Sequence, residues 1–283
     1  MNNIKLVVAF FNRDCSCSVA KRIIHPWWDF SELVCNDLGV SPIYIGVTMK
    51  NKVRGISNEN VCNYLRYKSR IQHQLELDNV QNIELFAIND PKGYIAWDYT
   101  FTAYVRVEPL RGNVMLVSFD TGLVPTWNRL NAVEFFECCM NIATRHMQVD
   151  YGFSMMMPNR WLPAGYALGI GGGNAERRII RDANAWMDFA ERDCHKWLRN
   201  AFGWSLLSKE HLAINVDGVT LEEWIQQTPH RGKLIPMSNN LTCWTFEDET
   251  ENMDFLNWEN PSVENVRRQL EQYKIFPWQH LPD

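Results

Sequence analysis

The densest grouping of residues able to engage another molecule lies near the C-terminus. Glu247, Asp248, Glu249, Glu251 and Asp254 stand there beside Phe246, Phe255 and Trp258, and Glu259 extends the run. Carboxylates in such a cluster pair with Lys or Arg on a partner and steer its approach, while aromatic rings supply desolvated anchors that carry much of the binding energy. Glu247, Asp248, Glu249, Glu251, Asp254, Phe255 and Trp258 are therefore the candidate contact residues for a protein partner. The same composition also suits a solvated acidic loop between a strand and the last helix.

Other constellations fall short of a reaction. Gly169-Ile170-Gly171-Gly172-Gly173 precedes an expected helix, where backbone amides can meet a phosphate. Asn174-Ala175-Glu176 follows, in place of the Gly-Lys-Ser/Thr of a P-loop, and the spacing is not that of a dinucleotide fingerprint. An anionic substrate at Gly169–Gly173 defines the alternative reading, an enzyme with a non-obvious site. The seven histidines (His25, His73, His146, His195, His211, His230 and His280) form no His-x-His or His-Glu-x-x-His pair. Cys194 and His195 are adjacent, so on a helix they point about 100° apart. Ser154 and Ser205 each keep only the first glycine of a nucleophile elbow. The eight cysteines include no Cys-x-x-Cys pair, and free thiols are expected. No catalytic residue, cofactor or metal is expected, and the chain reads as a binding protein rather than an enzyme.

The elements that must position these residues follow from apolar periodicity. Residues 1–11 read as a buried strand rather than a signal peptide, because Asn12-Arg13-Asp14 follows the apolar run at once. A second strand is expected over residues 43–48, with an irregular or helical segment around Trp27-Trp28 between the two. Ser57 reads as the N-cap of a helix carrying Val61, Leu65, Ile71 and Leu75 on one face. Residues 99–108 alternate apolar with polar, predicting a strand with one buried face, and residues 114–119 return as its hairpin partner. Residues 129–147 have helical spacing. In the second half, a strand over 152–157 precedes a helix capped by Asn174. A short helix follows Thr220, two strands flank Ser238-Asn239-Asn240, and a last helix is capped by Ser262. That helix sets Glu264 against Arg268, and Arg267 against Glu271, on its solvent side. The fold class is α+β, with antiparallel sheets and packed helices. The pattern divides into residues 1–150 and 151–283, as two similar α+β halves or as one continuous domain.

Charge and hydropathy narrow the partner. The net charge is −5, which argues against direct nucleic-acid binding and suits a basic protein. No stretch reaches the roughly 18 apolar residues that would cross a membrane, and a cytoplasmic location is expected. Most of the twelve tryptophans are expected in the core.

The second half also carries a resemblance. Trp197-Leu198-Arg199-Asn200-Ala201-Phe202-Gly203-Trp204-Ser205-Leu206-Leu207-Ser208 is followed by Asp217-Gly218-Val219, by Leu221-Glu222-Glu223-Trp224-Ile225, by Gly232-Lys233-Leu234 and by Cys243-Trp244-Thr245. Over residues 150–283 this resembles bacterial polymorphic-toxin immunity proteins, notably the immunity-protein-52 family, and more loosely the type VI immunity family. The resemblance implies a cytoplasmic α+β antitoxin that binds and neutralises a cognate toxin delivered by a type VI secretion system. For that family the usual toxin is a restriction-endonuclease-like DNase. It carries over no catalytic residue and no contact motif. A structural or adaptor protein is the remaining alternative.

Overall fold

The computed structural model of the chain describes residues 4–13, 17–37, 44–50, 57–63, 80–87, 101–108, 112–121, 131–146, 148–172, 174–190, 193–247 and 253–281. In the first half these form β1 (Ile4–Asn12), α1 (Cys17–Asp37), β2 (Tyr44–Lys50), β3 (Ser57–Asn63), β4 (Val80–Ala87), β5 (Phe101–Glu108), β6 (Gly112–Asp120) and α2 (Asn131–His146). The second half follows with β7 (Tyr151–Pro158), α3 (Pro163–Ala167), α4 (Arg177–Ala185), β8 (Trp204–Leu207), α5 (Lys209–Leu212), β9 (Asn215–Val216), β10 (Val219–Thr220) and α6 (Leu221–Gln226). It ends with β11 (Lys233–Pro236), β12 (Thr242–Thr245) and α7 (Pro261–Glu271). The fold is α+β. Ten strands form one antiparallel sheet in the order β11-β12-β8-β7-β1-β6-β5-β4-β2-β3, and β9 pairs with β10 in a small ribbon. Asp217 and Gly218, both at positive φ, turn that ribbon.

The first strand lies inside the sheet because its apolar run serves both faces. Leu6, Val8 and Phe10 meet Trp27, Trp28 and Phe30 of α1 and Phe136 and Met140 of α2. Val7, Ala9 and Phe11 face the opposite layer, with Tyr166, Ile179, Trp186, Val266 and Leu270. A continuous apolar strand, rather than an alternating one, is what two covered faces require. β1 pairs with β6 on one side and β7 on the other, so the sheet runs unbroken from the first half into the second. Eight tryptophans (Trp27, Trp28, Trp161, Trp186, Trp204, Trp224, Trp244 and Trp258) are buried, as the core reading expects.

Several local expectations give way to tertiary context. Ser57 opens no helix: residues 57–63 form β3 against β2, with Asn60 opposite Val47. Capping propensity is a local effect, and the backbone groups along β2 need partners of their own. Leu65, Ile71 and Leu75 lie outside the described residues. The polar side of β5 is not solvated, since Thr102 and Arg106 are buried. α4 starts at Arg177 with Glu176 as its N-cap, not at Asn174, whose amide is held by the Arg160 carbonyl. Asn260, not Ser262, caps α7. Its side chain accepts from the Ser262 and Val263 amides, and Pro261 takes the first helical position. Arg267 is buried rather than solvated.

Candidate functional site

The acidic segment divides on folding. Asp248, Glu249 and Glu251 lie outside the described residues. Glu247 follows β12, half-buried, its amide bonded to Thr245 Oγ1 at 3.0 Å. Asp254 is exposed on the 3-10 turn Met253–Leu256. Phe255 and Trp258 turn inward, at 6% and 3% exposure. Phe255 packs edge-on to Trp204 at 5.2 Å, and Trp258 lies against Tyr166 at 5.4 Å. Among the described residues of the segment, Asp254 and Glu259 are exposed and Phe246 and Glu247 half-buried, while the rings of Phe255 and Trp258 are committed to the core.

Beneath that segment lies a buried polar network. Arg199, fully buried, donates to the Ala167 carbonyl at 2.9 Å and to the Tyr166 carbonyl, and its Nε stands 3.6 Å from Asp182 Oδ1. Its guanidinium covers the Tyr166 ring at 4.2 Å. Asp182 Oδ2 accepts from the Tyr166 hydroxyl and from Asn200 Nδ2. Asn200 Oδ1 then takes Arg267 Nε at 2.7 Å, and Arg267 also donates to the Ala201 carbonyl and to Glu264. Burial raises the Asp182 carboxyl, against the pull of Arg199. With Arg199 beside Asp182 and Arg267 beside Glu264, the network joins α4, α7 and the 199–201 segment.

A second polar group sits where β1 leaves the sheet. The Arg13 amide donates to Asp150 Oδ2 at 2.8 Å, and the Arg13 side chain is 3.7 Å from the same carboxylate. Burial raises Asp150 and lowers the nearby His195. His211 is fully enclosed, with Nδ1 2.9 Å from Ser208 Oγ and Nε2 3.1 Å from the Trp197 carbonyl. Desolvation pushes its imidazole down to about 4. Ser208 and His211 form the capping box of α5, which satisfies the backbone at the start of that helix.

The cysteine and glycine features resolve the same way. Cys35, Cys138, Cys139, Cys194 and Cys243 are free thiols. Burial holds Cys35 and Cys243 at about 12 and Cys139 well above the ordinary thiol range, which suppresses the nucleophilic thiolate. No group of three or more His, Cys, Asp or Glu able to hold a metal occurs among the described residues. The glycine loop folds back along α4: a Cβ on Gly171 would stand 3.0 Å from Ile180 Cα, and one on Gly169 2.7 Å from Met187 Cβ. Its glycines permit close chain packing, while an acidic residue, Glu176, occupies the N-cap of α4.

A surface concavity lies where the acidic segment begins. A groove of about 590 Å³ has Ile225, Leu234 and Phe246 on its apolar side and His230, Lys233 and Glu247 among its polar residues. Its walls are braced. Arg231 covers the Trp224 ring at 3.8 Å and donates to the Trp224 carbonyl at 2.6 Å, and Trp244 Nε1 donates to the Arg231 carbonyl at 2.7 Å. Of these residues Phe246 and Glu247 belong to the segment singled out in the sequence. A lysine and a proline bounding the four-residue β11 were the available signal for an edge strand.

No helix among the described residues is long and apolar enough to cross a membrane. No family model matches the chain, and no curated protein matches it. Among solved structures the fold is similar to that of a Pseudomonas aeruginosa T6SS protein, PA0821. The two share 10% sequence identity at a TM-score of 0.54, over 97% of this chain and 73% of that one. At that identity the likeness is one of fold.

Proposed function

We propose that this protein is an immunity protein that binds and neutralises a cognate toxin of a type VI secretion system in the cytoplasm, with a nuclease as the toxin class. The observation that carries the reading is the likeness in fold to a protein of that secretion system, which spans nearly the whole chain. It supports, from backbone geometry, the association that the Trp197–Ser208 and Leu221–Ile225 motifs suggest from sequence. The polar chemistry is compatible with it, since the buried carboxylates, histidine and cysteines are engaged in packing and capping. A net charge of −5 favours a basic protein over nucleic acid as the direct partner.

The test is co-purification with the polypeptide encoded immediately upstream. A stoichiometric complex and relief of that polypeptide's toxicity are the expected results. Lack of binding at micromolar concentration, with both proteins folded, overturns the reading.

A further inference from the structure

We draw no further inference here: the strongest candidate, the surface groove lined by Ile225, Leu234, Phe246 and Glu247 where the acidic segment begins, carries nothing because nothing in the structure shows what covers it.

Discussion

Arg199 is fully buried beside Asp182, and its removal strands a carboxylate that burial already penalises. Arg199→Met is expected to cost about 3–5 kcal/mol in urea unfolding, because breaking a buried pair leaves the other charge uncompensated. Adding Asp182→Asn should recover part of that loss. His211 makes a prediction in pH. Its folded pKa of about 4 lies below the ordinary 6.5, so as pH falls the unfolded chain takes up the proton first. Its contribution is complete above about pH 6.5 and is lost as pH falls toward 4, by roughly 3 kcal/mol. Asp150 and Asp182, raised by burial, act in the opposite sense at low pH. Comparison with His211→Gln isolates the histidine: the variant should lose less stability between pH 7 and pH 4.5 in urea titrations. A wild-type curve no steeper than the variant's would remove His211 as the source. At this scale the sequence was least legible. Arg267 has the spacing of a surface ion pair with Glu271, yet it is drawn inside by Asn200 and the Ala201 carbonyl, partners 67 and 66 residues away. Phe255 and Trp258 look like exposed anchors beside acids, and only the packing of Trp204 and Tyr166 shows them to be core.

Elements with strong local signals were legible, and those made by pairing at a distance were not. β1, the β5–β6 hairpin, α2 and α7 each carry a continuous run, an alternation or a helical stripe of their own. β3 has no such mark and owes its form to the neighbouring strand β2. The cap of α7 shows how small the margin can be. Asn260→Ala should lower stability by about 1 kcal/mol in thermal unfolding, whereas Ser262→Ala should change it little. The reverse ranking would restore the serine as the cap. At the start of β8, Gly203 admits no side chain: a Cβ would lie 2.7 Å from Leu256 Cα and 2.8 Å from the Phe255 carbonyl carbon. Gly203→Ala must push the 253–256 turn outward and should cost roughly 1–3 kcal/mol. Increased proteolysis near that turn is the expected signature, and an unchanged melting temperature and digestion pattern would contradict it.

At the scale of the whole molecule, the central position of β1 binds residues 1–150 to residues 151–283. Expressed separately, neither span should give a cooperative unfolding transition, and mixing the two should restore one. A well-dispersed amide spectrum from either piece alone would show that the shared strand is dispensable. The strand order itself was not legible, since nothing in the local pattern of β1 names β6 and β7 as its neighbours. That arrangement has a consequence for synthesis. β1 leaves the ribosome before its partners and waits for residues such as Asp120, opposite Lys5, and Met156, opposite Leu6. Until both arrive, the Val7–Phe11 segment presents apolar side chains and unpaired edges to the cell. Pairings of such sequence separation slow folding into the millisecond-to-second range and lengthen exposure to aggregation. Nascent chains stalled before β7 is complete should therefore recruit chaperones most strongly, and release of a full-length chain should end that engagement.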